Sequence, residues 1–532
     1  MTTPGVNVTT ALRSGPGLTP APIAGTAFLA SPSPFGPLGP IEVGSLAEYL
    51  TNVAPPGLRG SGASGFVAFA VGLTGAAPAQ IDQGIATVRS FFDEGGRRLI
   101  LKRVVGADAV TANIVLLDAD DDPGVTLNAR TPGAWANELT VTVAAGTVSG
   151  RKVTIADGGL GLITDTIVLD NLGTNAAIAA AIAANAELDE LLIATVGVGA
   201  LIVVAAAAPL ADGDDDNAGV ELVGMAEFPI ELGPGAIILP NLYAFGDAET
   251  IAANVKAVAE AAEAGRRIIL TAPPVTPSSF VSTASNARDE LIDLVGESRA
   301  DELLGYIGAF WPGMVVPSII DPDGSVAASI ESYVAGVRAR VIAGYGPHRA
   351  PAGEVSIART VRALVAVEGG EVVDVLVGDA EVAEAAAAGL NPIRNLAGTI
   401  RIYGWSSLSG ASAWASLAVR DVLNSVAYEA DTRAEALVFR TIDPRGHLFA
   451  ELAGILTGLG EELKAAGAVF PRYAGDGLTE LDPGYSVDVG PEVNTAETIA
   501  AGQVNGVLAI RPAPNAATVN ITITKVAVGG AI

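Results

Sequence analysis

Apolar residues recur at helical spacing in "QIDQGIATVRSFFDEGG", where Ile81, Ile85, Val88, Phe91 and Phe92 share a face. The pattern stops at Gly95-Gly96 and gives way to the apolar run of "RRLILKRVV". Glycine takes positive φ without penalty, so the pair reads as a helix C-cap leading into a strand. Anion-binding loops sit at helix N-termini, where free N–H groups point outward. This pair follows a helix, so it turns the chain and holds no ligand. "AAEAGRRIILTAPP" (261–274) repeats the scheme of helix, glycine, Arg-Arg and apolar strand. "LLGYIGAFWPGMVVP" (303–317) reads as a further buried strand followed by a turn. "GSLAEYLTNV" (44–53) opens as a capping box, with Ser45 as N-cap and Glu48 at the third helical position.

Between residues 106 and 231 the pattern changes. Asp-rich "DADDDPG" and "DGDDDN" bracket short alternating runs such as "ELTVTVAAG" and "RKVTIADG", with one Ala-rich helix over 175–189. This predicts a β-rich insertion in an α/β body. "LLIATVGVGALIVVAAAAPL" (191–210) is uncharged and long enough to span a bilayer. Gly197, Gly199 and Pro209 interrupt it, and acidic flanks without Lys or Arg give it no orientation, so it reads as a buried strand pair. Residues 1–40 are rich in Pro and Gly and read as an extended arm rather than core. From about 375 a helical and β-rich part follows, and its last residues alternate as a strand does. The predicted fold class is α/β multidomain. Its parts are an N-terminal arm (1–30) packing with the C-terminal domain, a discontinuous α/β core (31–105 and 232–374), the β-rich insertion (106–231) and a C-terminal α+β domain (375–532).

Composition narrows the function. A chain of 532 residues, half of them apolar, supports several domains and a large core. Its net charge of −28 repels phosphate, so neither nucleic acid nor an anionic membrane is expected as a partner. The same charge keeps a protein made in many copies soluble before assembly. Cysteine is absent, which excludes disulfides and thiolate metal sites. "MTTPGVNVTT" shows no basic stretch followed by an apolar one, so no secretory signal is read there.

A search for catalytic chemistry finds little. None of Lys102, Lys152, Lys256, Lys464 and Lys525 follows a glycine, so no P-loop is present. "GSGASG" (60–65) matches G-x-G-x-x-G but follows a loop rather than a strand. No G-x-S-x-G elbow occurs. His348 and His447 lie near no nucleophile motif and read as loop or interface residues. The acidic loops begin like calcium loops, but their twelfth positions are Ala129 and Val223, so both read as solvated turns. No catalytic residue, cofactor or metal is expected.

Six segments, in order along the chain, resemble the contractile tail sheath family of phage tails and phage-like injection systems. They are "TPGVNV", "FFDEGGRRLILKRV", "ARTPGAWANELTVTV", "LNPIRNLAGTIRIYGWSSLS", "VFRTIDPRGHLFAELAGILTGL" and "NTAETIAAGQVNGVLAIRPAPNAATVNITIT". Ala136 stands where the family usually has glycine, Ser406-Ser407 where it has Arg-Thr, and Asp443 where it has Asn. The resemblance implies an α/β sheath core and a C-terminal polymerisation domain with strand-donating arms. It also implies a structural, non-enzymatic subunit that polymerises helically around an inner tube and contracts to drive that tube through a target envelope. Its partners would be itself in six-fold rings, the inner tube protein, and baseplate and terminator or cap proteins, with no direct membrane insertion. It would assemble in the bacterial cytoplasm as part of a virion tail or injection particle. The alternative class, an acidic β/α hydrolase or carbohydrate-binding protein, has no motif in its favour.

Two sets of residues are expected to make contacts. Pro4, Gly5, Val6 and Val8 at one end, and Val519, Ile521, Ile523 and Val526 at the other, are the expected inter-subunit arm strands. The helix predicted within 411–439 carries Arg420, Asp421, Glu429, Asp431 and Arg433; the resemblance implies that it is the inner-tube contact, and its periodicity alone equally fits an amphipathic core helix. The Pro/Gly-rich segment 31–44 and the loop 511–515 are the expected connections between arm and body.

Overall fold

In the computed structural model, residues 25–74 and 78–515 are described, save 241, 245, 274, 275, 322, 329, 359, 360, 369, 370, 444 and 476. They are organised around one large sheet. Its strands are β1 (Ala27–Ser31), β2 (Ile41–Val43), β3 (Leu99–Arg103), β4 (Gly235–Ile238), β5 (Arg267–Thr271), β6 (Ile307–Trp311), β7 (Asn391–Leu396) and β8 (Thr399–Ile402). The spatial order is β8-β7-β6-β5-β4-β1-β3-β2. The six inner strands run parallel, and β2 and β8 are antiparallel edges. Every residue of β4, β5 and β6 is buried, so both faces are covered there. That explains why these strands read as unbroken apolar runs without alternation.

Helix ends follow the local sequence. In α1 (Leu46–Val53) the Ser45 hydroxyl accepts from Glu48 N–H at 3.2 Å. Glu48 reaches back to Gly44 N–H at 2.7 Å, one residue short of the expected capping box. Helix α2 (Pro78–Asp93) ends at Gly95, with φ +100, where Gly95 and Gly96 N–H donate to Phe92 and Phe91 carbonyls, both at 3.0 Å. The glycine pair is therefore a turn, as its position after a helix predicts. Helix α3 (Ala248–Ala264) precedes β5 as α2 precedes β3. In both joints the second arginine is buried. Arg98 pairs with Glu42 at 3.0 Å. Arg267, fully buried, has no carboxylate within ion-pair distance among the described residues and donates to the carbonyls of Gly233, Phe228 and Pro229 at 2.6–3.0 Å. It lies 4.1 Å from the Phe28 ring centroid. Burial pushes its guanidinium down to about 9, which leaves it charged at neutral pH.

Three expectations need correction. The arm cannot extend to residue 30, because Ala27–Ser31 is an inner strand between β4 and β3. Segment 31–44 is no loose connection either: it holds the β1–β2 link, with Ser33 and Phe35 buried. Pro and Gly around a five-residue strand disguised a core element. The C-terminal boundary at 375 also fails, since β7 and β8 extend the main sheet beyond that point.

Residues 113–209 form two antiparallel sheets. One joins Asn113–Leu117, Pro123–Ala129 and Leu192–Val196; the other joins Ala205–Pro209, Thr140–Ala145, Arg151–Ala156 and Ile167–Leu172. The run 191–210 thus supplies strands to different sheets and not a pair. It is also far from buried, with Ile193 44% and Val198 96% exposed. Among the described residues no helix is long and apolar enough to cross a membrane. The Ala-rich helix is two helices, Asn175–Ala184 and Ala186–Leu191, parted by Asn185, whose side chain caps the second. A further antiparallel sheet contains Gly313–Pro317, Ser325–Ala328, Ala363–Glu368 and Glu371–Asp374. It follows β6 directly, where a turn was expected. The helices α4 (Ile330–Tyr345), α5 (Leu417–Ala434) and α6 (His447–Ala465) complete the elements used below.

Candidate assembly interface

Helix α5 carries the five residues expected to face a tube, and the structure divides them. Arg420 and Asp421 are each only 4% exposed. The Arg420 guanidinium lies 3.8 Å from the Tyr306 ring centroid and 4.0 Å from that of Trp414, and it donates to the Glu302 carbonyl at 3.1 Å. Asp421 accepts two hydrogen bonds from Arg338 of α4, at 2.6 and 3.1 Å. Burial pushes the Asp421 carboxyl up, and Arg338 pulls it back. These two residues bind α5 to the body and have no side-chain surface to give to a tube. A charged pair inside a fold looks, in sequence, like an exposed one.

The other three lie more than two turns further on and are more open. Asp431 is paired with Arg266, in the turn between α3 and β5. Arg433 bridges Glu429, at 3.4 Å, and Glu462 of α6, at 2.7 Å. The pair with Arg433 holds the Glu462 carboxyl below the usual range. Asp431 and Glu462 keep 51% and 61% of their side-chain surface, so this end of α5 is more open than its start.

A second group of buried residues forms the joint between the large sheet and the 113–209 unit. "RTPGAWANEL" builds it. Trp135 is 1% exposed and meets Phe35 edge to face, with centroids 5.1 Å apart. Gly133 has φ +135, and a Cβ there would come within 2.7 Å of Asp215 Oδ1, so only glycine fits. Asp215 accepts from Arg103 at the end of β3 and, at 3.3 Å, from Ala134 N–H. The Asp-rich "DGDDDN" therefore places one carboxylate in a buried ion pair. In "DADDDPG", Asp118 accepts from the N–H groups of Asp120, Asp122 and Ala200 at 2.6–3.0 Å. Among the described residues no group of three or more His, Cys, Asp or Glu could hold a metal ion.

Asn391 explains another quoted segment. Its side-chain amide donates to the Ala309 and Ser406 carbonyls at 3.1 and 2.7 Å and accepts from Ser406 N–H at 2.7 Å. Ser407 Oγ donates to the Trp414 carbonyl at 2.6 Å, so the two serines tie a local turn. Replacing Asn391 by Ala leaves these groups unmatched in a buried place. We expect a loss of about 2 kcal/mol in urea unfolding, with Asn391→Asp only partly restoring it.

Among the described residues, the C-terminal part holds two small antiparallel strand pairs, Arg472–Tyr473 with Glu480–Asp482 and Tyr485–Asp488 with Val507–Ile510. Loop 511–515 is packed, not loose: Arg511 pairs with Asp482 at 2.8 Å and Ala513 N–H donates to Ala468. The expected arm residues Pro4, Gly5, Val6, Val8, Val519, Ile521, Ile523 and Val526 lie outside the described residues. His348 lies in the loop after α4 and His447 opens α6.

Sequence reasoning missed Arg338, Arg103, Asp215 and Phe35. For Arg338, Arg103 and Phe35 the signal was an arginine or aromatic inside an otherwise apolar or Pro/Gly-rich stretch, and for Asp215 one acid among several in "DGDDDN", neither of which names a partner.

No known family model matches the chain, and no curated protein does. Solved structures do. A chain of the anti-feeding prophage (AFP) baseplate in contracted state is 15% identical, with TM-score 0.52 over 98% of each chain. The AFP helical sheath in contracted state is 14% identical, with TM-score 0.48 over 98% of this chain and 99% of that one. A sheath tail protein from Listeria innocua is 15% identical, with TM-score 0.48 over 89% and 90%. The chain thus shares its fold with a chain in the contracted AFP baseplate.

Proposed function

We propose that this protein is a structural sheath subunit that polymerises helically around an inner tube and contracts to drive the tube through a target envelope. The observation that carries this reading is the shared fold over 98% of both chains with a component of a particle captured in its contracted state. The six quoted segments, in order from one end to the other, support it from the sequence. A sheath needs interfaces rather than a pocket, and head-to-tail interfaces that do not close generate tubes. Its partners are further copies of itself, an inner tube, a baseplate and a terminator or cap.

Energy for contraction is stored on assembly, with the extended state held kinetically by tube and baseplate. Release lets subunits move as rigid bodies and bury more interface. A few hundred Å2 of extra apolar burial per subunit is worth roughly several kcal/mol at about 25 cal/mol per Å2. The test is expression of the chain alone. It should form short, wide tubes of the contracted type, visible by negative-stain microscopy, with no nucleotide added. A requirement for ATP, or extended tubes without an inner tube, refutes the account. Dispersed monomers at every concentration refute the sheath reading itself.

A further inference from the structure

We propose that Phe439 is an anchor by which one copy of this chain grips the next. Helix α5 runs out through the short 3-10 turn Glu435–Leu437. Val438 then takes φ −62 and ψ 140, Phe439 takes φ +63, and Arg440 N–H donates to the Leu437 carbonyl at 3.2 Å. That is a type II turn, whose third position demands positive φ and is normally glycine. A bulky side chain there is a genuine outlier. Among the described residues seven non-glycine residues take positive φ; four are Asp or Asn, which tolerate it, and Phe439 is the one aromatic.

The ring gives the isolated chain nothing in return for that strain, because Phe439 is 87% exposed. An aromatic side chain held in solvent on a strained turn fits the profile of an interface anchor, since such side chains dominate binding energy once desolvated. The turn also fixes the ring's direction at the end of the α5–α6 pair.

Charge around the ring identifies the partner. Segment 437–447 carries Arg440 and Arg445 against the single acid Asp443, in a chain of net charge −28. Arg440 is bridged to Glu451. Arg445 is exposed and forms no ion pair among the described residues, and Asp443 Oδ1 accepts from its backbone N–H at 2.8 Å. An apolar tip with the exposed Arg445 guanidinium nearby in the chain fits an acidic protein surface. The acidic surface present on the page is that of a second copy of this chain. This inference rests on the sheath reading and names one contact within the polymer.

The experiment uses the full chain expressed alone, with Phe439→Gly, Phe439→Leu and Arg445→Glu variants. Assembly is read as the critical concentration for tubes by sedimentation, and folding by circular dichroism. Phe439→Gly should leave the unfolding midpoint unchanged or raised by up to roughly 2 °C, because the strain is relieved. Its critical concentration should rise by about tenfold or more. Phe439→Leu, which keeps an apolar tip, should stay much nearer the unchanged chain. Arg445→Glu should weaken assembly most at low salt, where charge attraction is least screened. Normal assembly of Phe439→Gly overturns the inference. So does normal assembly alone combined with failure to coat the inner tube, which assigns the ring to the tube instead. If the unchanged chain makes no tubes, the sheath reading fails first; ultracentrifugation then decides whether Phe439 mediates any other self-association, and monomers throughout overturn it as well.

Discussion

Asp421→Ala should destabilise the folded chain by about 3–5 kcal/mol, the usual cost of stranding one partner of a buried ion pair. Arg338 and Asp421 keep only 3% and 5% of their side-chain surface, so water cannot take over from the lost carboxylate. The guanidinium of Arg338 would be left charged between α4 and α5. Urea unfolding followed by far-UV circular dichroism measures the loss, and limited proteolysis should show α5 released first. The double change Arg338→Met with Asp421→Leu removes both charges and should recover most of the stability. A single change that costs under about 1 kcal/mol would mean that the pair is solvated and that α5 is held by its apolar face alone.

Removing residues 1–14 should abolish tube formation while leaving a folded monomer. The removed residues lie outside the described part, and β1 begins only at Ala27, so the large sheet keeps all its strands. What is lost is the segment with Pro4-Gly5 and alternating Val6 and Val8 that the sequence reads as an arm. The proposed receivers are the small C-terminal strand pairs. A two-stranded sheet is marginal by itself and leaves unpaired edges on both sides, and strands added from neighbouring copies would satisfy them. Sedimentation and negative-stain microscopy read the polymer, and circular dichroism the monomer. Normal tubes from the shortened chain would show that the arm does not join subunits.

Features set by a few neighbouring residues were legible in the sequence. Ser45 and Gly95 act on groups within four residues of themselves, and local hydrogen bonding and φ preference decide such ends. The break at Asn185 is equally local, yet it was not legible, and 175–189 reads as one helix. The buried strands β3, β5 and β6 were read correctly from their apolar runs. "DADDDPG" was legible as a turn, but neither acidic stretch is fully solvated: Asp118 is buried, and Asp215 of "DGDDDN" sits in a buried ion pair next to a β-bridge at Asp214.

Tertiary packing decided the rest. Strand order placed Ala27–Ser31 inside the sheet and carried β7 and β8 into it from beyond residue 375, because parallel pairing is chosen by contacts far apart in the chain. Packing also decided which charges are inside. Arg420, Asp421 and Asp431 belong to one helix, yet the first two are buried and Asp431 is half-open, since burial depends on what α4 and the Tyr306 region bring against each face. The 3.6-residue period tells which residues share a face of a helix, but not which face finds a neighbour. Phe439 shows the same division: its type is plain in the sequence, while its strained and exposed place at the end of α5 is set by the fold.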